Sequence, residues 1–452
     1  MALKVQEPSA QVAGYAEDWQ LVADLLGGTR AMRAAAARRL PKWPNESTES
    51  YQARLSTATL FPALARTLGV MAGKPFSKAL TYGDDVPARI REWCDDADLQ
   101  GTNLHTFAAG MMEEALGYGT AGVLVEYPRT DGVRTVADER AVNARPYLVR
   151  YNHNQILGWR SFRLSGVTVL TQLRLSESAE VEDGDYGTKA VDRVRVLRPG
   201  SWELWEEGEK GEYVLTDFGV TTLQKIPFVP FYGRKTGFMA GVSPLLDLAH
   251  LNVKHWQSQS DQDTILHVAR VPILAAITSD EGFELTVGAS SAVRIPEGGD
   301  LKFVEHGGAA IAAGRQSLQD LEDQMIQTGA ELLVAKPGQR SATEANNDAE
   351  ANKSELQRIT EAFEDSLDQC LQFMADWVGE AQGGHVSLFK DFGAATLTDA
   401  SAQLILSMQQ AGLISKETAI REQQRRGMLA PDLDPTAEIE RAQADGPALG
   451  TL

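Results

Sequence analysis

Apolar residues recur at three- and four-residue spacings from Ala16 to Leu40 and from Ser50 to Ala72, bounded or interrupted by Pro41, Pro44 and Pro62. This pattern predicts helices. A second pair is expected from Pro87 to Leu99, with Pro87 at the first helical position, and from Asn103 to Tyr118. Between Arg145 and Tyr232 the texture changes to short runs rich in Val, Tyr, Trp and Thr, such as PYLVRY, GVTVLTQLRL, DRVRVLR and SWELWEE. Gly, Asn, Asp and Pro separate these runs, as expected for antiparallel strands joined by tight turns. The acidic stretch from Ser176 to Lys189 reads as an exposed loop between two of them.

Helical periodicity resumes after Ser243-Pro244, which reads as an N-cap and first-turn pair, and continues to about Arg270, where Val271-Pro272 stops it. A compact piece from Pro272 to His306 follows, with the strand candidates VPILAAI, FELTVG, SAVRIP and LKFVEH. A helix is expected from Ala309 to Val334, with Ile311, Leu318, Leu321, Met325 and Leu332 on one stripe. Lys336-Pro337-Gly338 ends it. Ser341 and Glu344 form a capping box that opens a helical segment expected to run to about Ala381, its second half amphipathic through Leu356, Ile359, Phe363, Leu367, Leu371, Met374 and Val378. Helices from Thr398 to Ala411 and from Ser415 to Arg426 close the chain. The class is therefore α+β, an antiparallel β region set within a helical protein.

Composition narrows what such a chain can do. Its 452 residues carry 62 acidic against 43 basic side chains, a formal net charge of −19, with 43% apolar residues to fill two to four domains. That balance argues against a free-standing reader of duplex DNA, whose affinity comes mostly from clustered Lys and Arg. Cys94 and Cys370 cannot build a disulfide framework or a zinc knuckle. With no apolar signal core and no run of 18 apolar residues, the chain is expected to be soluble and intracellular at synthesis.

Catalytic signatures do not emerge. Gly69-Val-Met-Ala-Gly73-Lys74-Pro75 is one residue too short for a phosphate loop and places Pro75 where a hydroxyl is required, so it reads as a helix-ending turn. His250 and His255 lie five apart, not the spacing of two ligands on one helix face, and read as partly exposed helix residues. The acids Asp320 with Asp323, and Glu361 with Glu364 and Asp365, read as solvated charge. No catalytic residue, metal site or cofactor is expected.

The order of elements, together with FMAGVSPLLDLAHLNVKHWQSQSDQDTILHVARVPIL, EHGGAAIAAGRQSLQDLEDQMIQTGAELL, the KPGQRSATEA junction and LSMQQAGLISKETAIREQQRRGML, resembles bacteriophage portal proteins. The resemblance covers most of the chain and is weak before about residue 100. It implies a portal-type fold: a wing from residues 1–243, a first stem helix at 244–270, a clip at 271–308, a second stem helix at 309–334, a tunnel loop at 335–342, a long wing helix and bridge strand at 343–395, and a short helical crown at 396–452. It further implies a non-enzymatic ring, usually of twelve subunits, at one capsid vertex. Double-stranded DNA would be packaged and ejected through it. The implied partners are terminase, the major capsid protein, scaffold and a head-tail adaptor, with no membrane. The implied location is the virion, after assembly in the host cytoplasm.

A conduit must let DNA slide, and an evenly basic wall would hold phosphates instead. Lys336 and Arg340, the only charges between Glu331 and Glu344, are the best candidates for transient contacts to the DNA backbone. Lys254, Arg270 and Arg315 are weaker ones. The polar run Gln257 to Asp263 is expected on a helix side facing a water-filled channel. Two other readings compete, a neck adaptor or scaffold and a metal-dependent nuclease using paired acids such as Asp261 and Asp263.

Overall fold

The computed structural model describes residues 3–128, 142–208, 211–269, 273–277, 300–304, 309–330, 354–390, 392, 407, 409, 414–425, 429 and 433–444. Its helices include α1 (Ala16–Leu26), α2 (Gly28–Ala35), α3 (Thr48–Thr57), α4 (Ala63–Gly73), α5 (Ala88–Trp93), α6 (Leu104–Tyr118), α7 (Leu246–Ala269), α8 (Ala309–Ala330), α9 (Glu355–Val378), α10 (Lys416–Arg425) and α11 (Pro435–Ala444). Its strands include β1 (Thr120–Glu126), β2 (Tyr147–Tyr151), β3 (Ile156–Leu164), β4 (Val167–Asp183), β5 (Gly187–Arg198), β6 (Ser201–Glu207), β7 (Tyr213–Val220), β8 (Phe228–Tyr232), β9 (Ile273–Ile277) and β10 (Asp300–Val304). The protein is α+β, and the described sheets pair antiparallel throughout.

The chain divides into two compact units. One comprises residues 1–12, 69–243 and 331–452, the other residues 13–68 and 244–330. The larger unit is built on a three-stranded sheet, β2-β1-β8, and a five-stranded meander, β3-β4-β5-β6-β7. Strand β1 is buried from Thr120 to Val125 on both faces because α6 and α9 pack on its sheet. Gly122 is required there: a Cβ would stand 1.9 Å from Phe228 Cζ. Leu124, Tyr151, Ile156, Leu173, Leu175, Leu197 and Phe228 form the core that joins strands of the two sheets. Helix α6 starts where Asn103 Oδ1 accepts the Thr106 N–H at 2.9 Å and ends at Gly119, whose φ of 89° suits glycine. Cys94 and Cys370 are free and buried, and burial pushes the Cys94 thiol up to about 12 and Cys370 also upward.

Several expectations need correction. The acidic stretch 176–189 is no loop. It forms the outer half of a long hairpin in which β4 and β5 pair from Leu173 opposite Leu197 to Asp183 opposite Gly187. Alternation decides this: Glu177 faces Arg193 and Val181 faces Lys189 across the ladder, so the acids are spaced for a strand exposed on both sides. Pro87 is the N-cap of α5 rather than its first helical residue. The helical segment expected from Ser341 to about Ala381 is interrupted at Ser354, whose extended backbone (ψ 159°) and reciprocal capping box with Gln357 open α9, and α9 ends at Val378 before the left-handed Gly379; the Ser341 and Glu344 capping box lies outside the described residues.

The smaller unit packs α1 and α3 against α7, and α7 against α8. Its core includes Leu21, Leu25, Met32, Leu64 and the fully buried Trp256. Buried Arg54 fixes the loop before α3 by a two-pronged bond to Glu46, at 2.9 and 2.8 Å, with its guanidinium 4.0 Å above the Trp43 ring. That pairing holds the Glu46 carboxyl below its ordinary range.

Candidate functional site: the paired helices and their charges

Helices α7 and α8 lie side by side, and between them in sequence β9 and β10 pair antiparallel from Ile273 opposite Val304 to Ile277 opposite Asp300. At 1.5 Å per residue the helices are roughly 36 and 33 Å long. The stripe on α8 buries Leu318, Leu321 and Met325 as expected. The seam of α7 is unusual because much of it is polar. Asn252 accepts the Leu64 N–H at 3.0 Å and donates to Phe61 O at 2.9 Å, holding the start of α4. Gln257 donates to Arg39 O at 2.9 Å, and the buried Gln262 amide donates to Ile311 O at 3.1 Å. Gly314 makes room for that crossing, since a Cβ there would lie 2.0 Å from Gln262 Oε1.

The run Gln257 to Asp263 is therefore not simply a water-facing side. Gln257, Ser260 and Gln262 turn into the unit, whereas Asp263 is exposed. His255, expected as a partly exposed residue, is 2% exposed, with Nε2 3.3 Å from Glu322. Ser243, expected to cap α7, donates its hydroxyl to Leu116 O at 2.7 Å, and the helix begins three residues later.

Lys254 and Arg315 are exposed, one on each helix. They are the only basic side chains besides histidine on α7 and α8, against Asp247, Asp261, Asp263, Asp320, Glu322 and Asp323. The helix pair thus offers an acidic surface with two isolated cations. Lys336, Arg340 and Arg270 lie outside the described residues. Asp261 and Asp263 have different partners: Asp261 lies 3.9 Å from the Arg54 guanidinium, while Asp263 accepts from Gln259 Nε2 at 2.8 Å. Among the described residues, no group of three or more His, Cys, Asp or Glu side chains converges to hold a metal. The Gly69–Pro75 stretch ends α4 and continues into a 3-10 turn at Lys74–Phe76, a helix end rather than a strand-to-helix loop.

The larger unit holds buried charges, one of which reads as solvated in the sequence and others of which the sequence pattern does not mark. Glu364, expected as solvated, is 8% exposed. It accepts the Leu388 N–H at 2.6 Å and the Lys390 ammonium at 2.8 Å. Its position carries a signal, since Thr360, Glu364, Leu367 and Leu371 share one helix face at the apolar spacing. Arg195 on β5 bridges Glu126 of β1 and Glu177 of β4, while the Tyr147 hydroxyl donates to Glu126 at 2.9 Å and Tyr151 donates to Glu177. Burial alone would lower the Arg195 pKa, but the two carboxylates outweigh it and hold the guanidinium above its ordinary range. Nothing local in the sequence marks this cluster, because its members come from strands distant along the chain. A cleft of ≈ 880 Å³ lies between α9 and the end of β8, its charges partly spent on an Arg234–Glu355 pair at 2.6 Å. No helix among the described residues is long and apolar enough to cross a membrane.

A family model described only as a domain of unknown function (DUF4055) matches residues 244–378, less than a third of the chain. No curated protein matches the chain. Among solved structures, a chain from the neck of an empty GTA particle computed with C6 symmetry is 14% identical at a TM-score of 0.41, over 80% of this chain and 89% of that one. A chain from the virion of a native gene transfer agent (GTA) particle is 13% identical at a TM-score of 0.41, over 86% and 98%. A third, from the neck of the native GTA particle computed with C12 symmetry, is 12% identical at a TM-score of 0.41, over 87% and 98%.

Proposed function

We propose that this chain is the subunit of a portal ring, a non-enzymatic conduit at one vertex of a capsid through which double-stranded DNA is packaged and ejected. The observation that carries the reading is the unit of two adjacent long helices joined through an antiparallel β pair, with six acids and two cations on the helices. In a ring of such units the acidic helices repel the duplex and centre it, and isolated cations make exchangeable phosphate contacts without reading bases. On this reading α7 and α8 are the stem, the segment between them is the clip that meets terminase and later the head-tail adaptor, and residues 335–342 are the tunnel loop. Residues 1–243 and 343–395 supply the wing, toward capsid protein and scaffold, and residues 396–452 the crown. The ring belongs to the virion and assembles in the host cytoplasm. Its contacts are heterologous, one face of a subunit docking on a different face of the next, probed by imaging the purified full chain.

The test is direct. Light scattering and electron micrographs of the purified chain are expected to reveal a closed ring with a central hole, usually of twelve subunits. A monomer at all concentrations and salts overturns the reading. Replacing Lys336 and Arg340 together by Glu is expected to leave the ring intact and impair packaging or genome retention. Unchanged packaging removes both residues from the channel.

A further inference from the structure

The five-stranded sheet ends in two open edges, β3 on one side and β7 on the other, and among the described residues no strand pairs with the outer side of either. Both edges expose apolar side chains. Phe162 and Leu164 on β3 are 54% and 56% exposed, and Phe218 and Val220 on β7 are 71% and 87% exposed. An edge of this kind is a template for another strand, and natural proteins blunt it with charged residues, Pro or bulges. Neither Lys nor Pro occurs in β3 or β7, whose charges are Arg160, Arg163 and Asp217. The inner half of β3 is already covered, because Ser9 N–H donates to Leu157 O at 2.8 Å and Arg174 ties down the carbonyls of Lys4, Val5 and Glu7. Bulges at Arg160/Ser161 and opposite Leu204/Trp205 leave Ser161–Leu164 and Asp217–Val220 as the straight runs.

The two edges are complementary in charge. Strand β3 carries Arg160 and Arg163 and no acid, whereas β7 carries Asp217 and no base, flanked by the exposed Glu207 and Glu212. Two copies of the same edge would set like charges together, but β3 of one copy against β7 of another pairs opposite ones. Topology adds a condition. Five antiparallel strands form an odd number, so β3 and β7 run in the same direction and a copy rotated about a ring axis presents its β3 to β7 in parallel sense. Asp217 Oδ1 now accepts the Phe218 N–H at 2.8 Å. An incoming strand carbonyl would take that donor.

We infer that the outer half of β3 docks along β7 of a second copy of this chain, making a heterologous sheet-to-sheet contact between neighbouring subunits. The inference rests on the ring reading and names one surface that builds it.

Single variants Leu164→Cys and Val220→Cys of the full chain, with Phe162→Cys and Phe218→Cys to cover the neighbouring register, test it by oxidation. The two native cysteines are buried. Mixing a β3-edge variant with a β7-edge variant is expected to give a disulfide dimer, and a doubly substituted chain a ladder ending at the ring size. Each single variant alone is expected to give none. Dimers from a β7-edge variant alone would mean a two-fold contact and overturn the inference. Rings seen in micrographs with no cross-link in any combination also overturn it, yet leave the portal reading standing. Absence of any ring removes both.

Discussion

Helices α7 and α9 are both 24 residues long, yet they are held by different chemistry. Helix α9 buries a conventional stripe, with Leu356, Ile359, Phe363, Leu367, Leu371 and Met374 inside and one buried acid, Glu364, satisfied by a backbone N–H and a lysine. Helix α7 buries Leu248, Ala249 and Trp256 but also Asn252, His255, Ser260 and Gln262. Apolar burial is strong and tolerant of direction, whereas a polar seam contributes less and fixes position through geometry. The difference separates a helix that anchors a unit from one whose neighbours are specified bond by bond.

Substitutions test this contrast. The largest effect is expected for Phe363→Ala, which empties a site between Phe231, at 4.6 Å between ring centroids, and Phe76, at 6.4 Å. A loss of about 3–5 kcal/mol is expected in denaturant unfolding of the purified chain. Glu364→Ala should follow, costing roughly 1–3 kcal/mol because the buried Leu388 N–H loses its acceptor, while Asp365→Ala at the exposed neighbouring position changes little. A loss equal to that of Asp365→Ala would mean that Glu364 is solvated after all.

Gly314→Ala tests the polar seam through a change of sign. In an open helix this substitution stabilises by about 1 kcal/mol. Against Gln262 it is expected to destabilise by about 1–3 kcal/mol, because the new methyl meets Gln262 Oε1. In a Gln262→Ala background the same change should become neutral or favourable, which a double-mutant cycle reads directly. Smallest of all is Ser260→Ala. Among the described residues the buried Ser260 hydroxyl has no hydrogen-bond partner, so its removal should be neutral or stabilise by about 0.5 kcal/mol.

One pH effect belongs to the larger unit. Burial raises the Glu114 pKa, but bonds from His153 and the charge of Arg150 outweigh burial and hold the carboxyl below its ordinary value of 4.5. A depressed acid contributes stability above its unfolded pKa and loses it as pH falls through the folded value. Thermal unfolding between pH 7 and 3 should therefore show an acid-side loss that is smaller in Glu114→Gln.

Much of the framework is legible along the chain. Asn103 with its helix, the Ser354 to Val378 apolar stripe and the short Val- and Trp-rich strands are local patterns, and local patterns follow from backbone period and capping. The acidic hairpin was obscured because charge density suggested a loop while the alternation within Ser176 to Asp183 belonged to a strand. Arg195, Glu126 and Glu177 were not legible as a group, since they meet only when β1, β4 and β5 come together. His255 and Gln262 have the composition of an exposed turn and the environment of a seam.

Class, element order and acidic balance can be read along the chain, because period, caps and net charge are properties of neighbouring residues. Which polar side chains are buried, which acids carry a partner and which sheet edges stay open emerge only on folding. Those depend on groups brought together across hundreds of residues, and burial decides whether a charge remains in water or must find a bond.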